Sequence, residues 1–178
     1  MRVLPASFYA RNTKAVARGL LGKYLIRKIG RRRLVGRIVE TEAYFQDDPA
    51  SHSYSGKTPR SAPMFEHPGR AYVYFVYGNH YCLNAVTEKF GKAGAVLIRA
   101  LEPVKGVKLA TNGPGKLTKA FKIDSKFNRA DLSRGNLVVA EGVRKRYNIV
   151  SARRVGISKA SNKLYRFYLK GNKYVSKM

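Results

Sequence analysis

The stretch RIVETEAYFQDDPASHS, residues 37–53, holds four of the ten acidic residues of a chain that carries 36 Lys and Arg. Glu40 and Glu42 sit two apart in a β-branched, apolar run, so on a regular strand they project to one side together with Ile38 and Tyr44. A lone glutamate among so many cations is ordinarily half of a solvated surface ion pair. Two on a shared face, followed by an irregular loop carrying His52, point instead to a site where a carboxylate works as an acid or base. Asp47 and Asp48 precede Pro49 and fit turn chemistry.

Tyr72, Tyr74, Tyr77 and Tyr81 lie within ten residues of one another, in a chain with twelve tyrosines and no tryptophan. Strand alternation puts Tyr72 and Tyr74 on one face and Tyr77 on the other. Aromatic groups amid basic residues can stack nucleobases, at roughly 1–3 kcal/mol per base. Core tyrosines with satisfied hydroxyls are the plain alternative for any one of them. GPGKLT suggests a phosphate loop, but Ala110 and Leu117 stand where that motif needs Gly and Ser or Thr, so nucleotide hydrolysis is disfavoured. Glycines ahead of a helix entered through Pro114 still leave room for a backbone phosphate. Cys82 is the only cysteine, which excludes an intrachain disulfide and a thiolate cluster, and His52, His67 and His80 lack metal-ligand spacing with it. No metal or other cofactor is expected, and Cys82 reads as a small buried apolar residue.

The elements that must position these groups follow from period and punctuation. Thr13 to Leu21 places Val16, Ala17, Leu20 and Leu21 at helical spacing behind Asn12 or Thr13 as a cap. KYLIRKI and RLVGRIVETEAY read as two strands around Gly30, and AYVYFVY and YCLNAV as a hairpin turning at Gly78 and Asn79. AVLIRALEP, RGNLVVAEG, RRVGI and LYRFYLKGNKYVS supply further strands, with one more helix from Asn112 to Ile123. Residues 46–70 form a long loop, uncommon in a compact domain unless it has a function. Strand follows strand without long helices between, so the fold class is α+β, a single mixed domain over residues 1–178 with a curved, largely antiparallel sheet and a few short helices.

With 178 residues and 44% hydrophobic content, the chain can bury one sizeable core. Its net charge of +26 opposes folding by self-repulsion and implies a polyanionic partner, with nucleic acid favoured over an anionic membrane because the charge is spread along the chain. No apolar run approaches a membrane span and the N-terminus lacks a signal-peptide centre, so a monomer in the cytosol, nucleoid-associated if the source is prokaryotic, is expected.

GRIVETEAY, SHS, TPRSAPMF, PGRAYVYFVYGNHYCLNAV, AVLIRALEP, GPGKL and SARRVG occur in the order found in the alkyladenine (methylpurine) family of DNA-3-methyladenine glycosylases, which the chain resembles over roughly residues 16–176. The resemblance implies a DNA repair enzyme that flips an alkylated or deaminated purine from duplex DNA and hydrolyses its N-glycosidic bond without metal or cofactor, leaving an abasic site. Expected lesions are 3-methyladenine and 7-methylguanine, with hypoxanthine and ethenoadenine as further candidates. It assigns Glu42 as general base, with Arg99 and the main-chain carbonyl of Val155 holding the attacking water. Tyr44, His52 and Tyr74 become walls of the base pocket, Asn84 the bulk that discourages normal guanine, and Tyr77 the wedge that fills the vacated stack. Asn79 stands beside that wedge where relatives commonly carry an apolar residue, which weakens apolar wedging. Ser61 follows TPR where Asn is frequent.

The chemistry is coherent with such an enzyme. Cleaving the C1′–N bond builds positive charge on the sugar, as in glycoside hydrolysis, and a carboxylate both stabilises that charge and activates water. Arg99 beside Glu42 is expected to favour the ionised carboxylate. Two other readings remain open from the sequence: a bifunctional glycosylase/lyase using a lysine amine, and a non-catalytic basic nucleic-acid-binding protein.

Overall fold

The structure is a computed structural model in which residues 1–76, 78 and 80–176 are described. Helix α1 (Ala6–Tyr9) and helix α2 (Thr13–Leu20) come first. Strands β1 (Tyr24–Ile29), β2 (Arg32–Phe45), β3 (Ala71–Val76), β4 (His80–Val86) and β5 (Gly94–Lys105) follow, then helix α3 (Pro114–Phe121), β6 (Leu137–Ala140), β7 (Ile149–Ala152) and β8 (Arg166–Leu169). Among the described residues the strands form one curled antiparallel sheet in the order β3-β4-β5-β2-β1-β6, with β8 joining β2 and β7 joining β8. The α+β class expected from the sequence is the class observed.

Strand β2 organises the sheet. Its early residues pair with β1 across a turn at Gly30, whose φ of 54° suits glycine, and its later residues Glu40, Thr41 and Glu42 pair with β8. Along its opposite edge it pairs with β5 nearly end to end. Two register shifts interrupt that ladder. Ile38 faces Leu101 and Glu40 faces Ala100, so β2 carries one extra residue; Thr41 then faces Ile98, which leaves Arg99 as the extra residue of β5. Such bulges re-aim side chains. Ile38 and Val39 therefore both belong to the main core, and the expectation that Ile38 shares a face with Glu40 and Glu42 is corrected.

Helix α2 covers this core with Val16, Ala17 and Leu20, and Thr41 of β2 donates from its hydroxyl to the Ala17 carbonyl at 2.9 Å. Its start is capped by Asn12, whose side chain accepts from the Lys14 amide at 3.0 Å. Helix α3 begins at Pro114, buries Leu117 and Phe121, and ends where Lys122 turns left-handed with φ 51°. The RRVGI segment is not a strand. Strand β7 ends at Ala152, the Val155 amide donates to a carboxylate rather than to a ladder, and Gly156 at φ 79° turns the chain away. Of LYRFYLKGNKYVS, only Arg166–Leu169 is strand.

Candidate active site

Strand alternation builds a cavity of about 520 Å³ on the face of the sheet opposite the main core. Every second residue lines it: Tyr72, Tyr74 and Val76 from β3, Cys82 and Asn84 from β4, and Ala95, Leu97 and Arg99 from β5. The long segment between β2 and β3 folds over it with His52, Arg60 and Met64, while Tyr44, Val155 and Gly156 close the end nearest β2. That segment contains a 3-10 helix over Ala62–Phe65 and is knotted by Ser61, which is fully buried. The Ser61 hydroxyl accepts from the Thr58 amide at 2.8 Å and donates to the Gly56 carbonyl at 2.9 Å.

Glu42 lies directly behind the wall formed by Tyr44, Arg99 and Val155, at 0% exposure. Its Oε1 accepts from the Val155 amide at 2.8 Å, and its Oε2 accepts from the Tyr44 hydroxyl at 2.9 Å. The Arg99 guanidinium is 3.5 Å from Glu42 Oε1 and donates to the Val155 carbonyl at 3.4 Å. Burial pushes the Glu42 carboxyl above the ordinary carboxylate range, outweighing Arg99, the Val155 amide and the Tyr44 hydroxyl, which pull it down. Arg99 does favour the ionised form, as expected, but burial outweighs it, and Arg99 is shared. Its Nε is 3.4 Å from Glu40 Oε1, and Glu40 also accepts from Arg166 at 3.0 Å and from the Ser176 amide at 2.7 Å.

Aromatic side chains form the other walls. The His52 and Tyr74 rings meet edge to face at 4.7 Å, the Tyr72 and Tyr74 rings lie 5.0 Å apart, and His52 Nδ1 is 2.8 Å from the Tyr72 hydroxyl. Burial, aided by the nearby Arg60 charge, lowers the His52 pKa to about 4, so the ring is neutral at pH 7. Burial likewise raises Tyr72 to about 12 and raises Tyr44, Tyr74 and Cys82. Asn84 donates to the Tyr72 carbonyl at 3.0 Å, which fixes its side chain against the cavity. Among the described residues no group of three or more His, Cys, Asp or Glu could hold a metal.

The structure thus brings together Glu42, Arg99, Val155, Tyr44, His52, Tyr74 and Asn84. Tyr77 and Asn79 lie outside the described residues. Asp48 is more than a turn residue: besides accepting from the Ala50 amide at 3.2 Å, it is buried against Arg154. Both terminal nitrogens of Arg154 bind Asp48, and one also donates to the Ala43 carbonyl at 3.0 Å. The Arg154 guanidinium lies 4.7 Å from the Tyr44 ring centroid. Spacing gave no hint of this pair, of the Glu40 network, or of Arg60, although Arg154 and Arg60 stand inside the quoted RRVG and TPR strings.

A sequence model of methylpurine-DNA glycosylases matches residues 7–173, nearly the whole chain. The chain belongs to the methylpurine-DNA glycosylase family. A relative from Carboxydothermus hydrogenoformans, provisionally named 3-methyladenine DNA glycosylase, is 50% identical, with 98% of this chain and 99% of the relative covered. One of the same provisional name from Legionella pneumophila strain Corby is 50% identical over 99% of this chain and 100% of its own length. A third, from Methanoculleus marisnigri, is 46% identical with 98% of both chains covered. In this chain the aromatic cavity ends at the buried Glu42 carboxylate.

Proposed function

We propose that this methylpurine-DNA glycosylase family member releases damaged purines from duplex DNA by hydrolysis, with Glu42 as the base that activates water. The observation that carries the reading is the convergence of Glu42, Arg99 and the Val155 backbone at one end of an aromatic cavity. Water entering between Arg99 and Val155 would meet a donor, an acceptor and a carboxylate of raised basicity. General-base assistance of that kind contributes about 10²–10⁴ in rate. The same carboxylate faces the sugar as positive charge develops on it.

The cavity volume of about 520 Å³ suits one flipped purine, and Tyr44, His52 and Tyr74 supply stacking surfaces for it. Asn84 would restrict the space beside the base, and Tyr77 would occupy the gap left in the stack. Alkylated purines such as 3-methyladenine and 7-methylguanine leave readily, while hypoxanthine and ethenoadenine need more help from the site. No lysine is among the described residues that line the cavity, which favours hydrolysis over a Schiff-base lyase. A purely DNA-binding role leaves the buried Glu42 cluster without purpose.

The +26 charge serves search along phosphates. We take the chain as one catalytic domain acting as a monomer on DNA in the cytosol; among the described residues no helix is long and apolar enough to cross a membrane. The test is a panel of duplexes, each with one modified purine, scored for free base without added metal. Glu42→Gln should abolish release while retaining duplex binding; undiminished release by that variant overturns the mechanism.

A further inference from the structure

Arg60 enters the cavity mouth from the segment between β2 and β3, and its guanidinium lies 5.4 Å from the Tyr74 ring centroid. The Tyr72 hydroxyl lies 2.8 Å from His52 Nδ1, and the Arg60 charge helps burial keep His52 neutral. In the tautomer whose Nδ1 is the acceptor, His52 takes the Tyr72 hydroxyl proton in this bond. A neutral imidazole that accepts at Nδ1 carries its proton on Nε2 and offers a donor there. Arg60 and Arg99 are the charged groups among the described lining residues, and both are cations, since Glu42 lies behind the wall.

We propose that Arg60 determines which damaged purines are processed, favouring neutral bases with acceptor edges over cationic alkylated ones. The proposal rests on the base-release reading of the same cavity. A purine methylated at N7 carries positive charge, and a cation stacking on Tyr74 competes with Arg60 for the electron-rich ring face. A deaminated purine such as hypoxanthine is neutral and presents oxygen and nitrogen acceptors to the His52 donor. Arg60 therefore disfavours the first class twice, by charge and by occupancy, while its charge helps keep neutral the His52 ring that the second class meets.

Single-turnover base release from duplexes bearing 7-methylguanine or hypoxanthine tests this, using the full chain and the variants Arg60→Gln and Arg60→Lys. Arg60→Gln should raise the 7-methylguanine to hypoxanthine rate ratio by about tenfold, the scale of one cation–π contact in a partly desolvated site. Arg60→Lys, which keeps the charge, should stay closer to the parent ratio at low salt. An unchanged ratio in Arg60→Gln overturns the proposal. So does an equal loss on both lesions with a shallower salt dependence, which would make Arg60 a phosphate contact. Release of 7-methylguanine but not of hypoxanthine by the parent protein overturns the proposed preference directly. If the parent releases no base from any duplex, the base-release reading itself fails.

Discussion

Asp48→Asn removes one charge and turns one of the two oxygens that accept from Arg154 into an NH2 donor, keeping one oxygen for the Ala50 amide and the other guanidinium nitrogen. Asp48 is 1% exposed and Arg154 is 5% exposed, so the guanidinium would remain inside the protein with no counter-charge. Breaking a buried pair from one side costs about 3–5 kcal/mol. For a chain of this length each kcal/mol moves Tm by about 2–4 °C, so the midpoint should fall by roughly 6–20 °C. That is a large share of a total stability of about 5–15 kcal/mol, yet it leaves a folded population at 25 °C.

The effect on the reaction should exceed the effect of unfolding. Arg154 is held by Asp48 and by the Ala43 carbonyl, and the next residue, Val155, donates its amide to Glu42 and accepts from Arg99. Loss of the Asp48 charge loosens that corner, and a misplacement of about 1 Å at a reacting centre costs on the order of 10²-fold. Differential scanning calorimetry would give the Tm change, and single-turnover base release at 25 °C, normalised to folded protein, would give the rate. A Tm change below about 2 °C refutes the buried-pair energetics. A normal rate per folded molecule, with Tm lowered as stated, refutes the coupling of Asp48 to Val155.

Base release by the parent protein should fall on acidification along a limb lying above the ordinary glutamate range, because burial raises the Glu42 carboxyl and only its ionised form accepts a proton; a limb at or below that range counts against Glu42 as base. The same shift bears on stability: Glu42 holds its proton more tightly folded than unfolded, so its contribution is present below the unfolded pKa near 4.5 and is lost as pH rises through the folded value. Glu42→Gln should accordingly raise Tm at neutral pH, with the gain vanishing in acid; a lower Tm at pH 7 would contradict it. Affinity for undamaged duplex should drop by about 10³–10⁵ between 50 and 200 mM salt if six to ten phosphates are contacted, read by fluorescence anisotropy, and a flat salt response would remove phosphates as the target of the basic surface. Tyr77→Ala should weaken binding to a lesion duplex more than to an intact one, and equal affinities before and after the change would exclude a wedge at that position.

Local pattern exposed most of the strands and the helices α2 and α3, because period and punctuation are short-range signals, but not α1 or β7. Alternation placed Tyr72 with Tyr74, and Pro114 marked the start of α3. The same assumption of regular alternation misplaced Ile38, since a bulge is one unpaired residue whose cause lies on a neighbouring strand. RRVGI has strand composition, but the Val155 amide is committed to a carboxylate 113 residues away. The ion pairs were hidden for a similar reason: Asp48 and Arg154 are 106 residues apart, and Glu40 and Arg166 are 126 apart. Charge in a sequence says that a partner is needed and does not say which.

The acid cluster in so basic a chain follows from those partnerships. Glu40, Glu42 and Asp48 are all buried, and each is held by arginine: Arg99 and Arg166 for Glu40, Arg99 for Glu42, Arg154 for Asp48. Arg99 lies 3.4 Å from Glu40 and 3.5 Å from Glu42, so neither carboxylate has it alone. Had Arg99 served Glu42 only, the carboxylate would be well neutralised and a poor base. Burial is the main cause that raises the Glu42 carboxyl, and Glu40, which shares the guanidinium, adds a smaller push in the same direction by its own charge. Glu40 itself is also held by Arg166 and the Ser176 amide, and the Ser176 hydroxyl accepts from Arg99 Nε at 3.2 Å. Under the proposed mechanism Glu40 is thus the held carboxylate and Glu42 the working one.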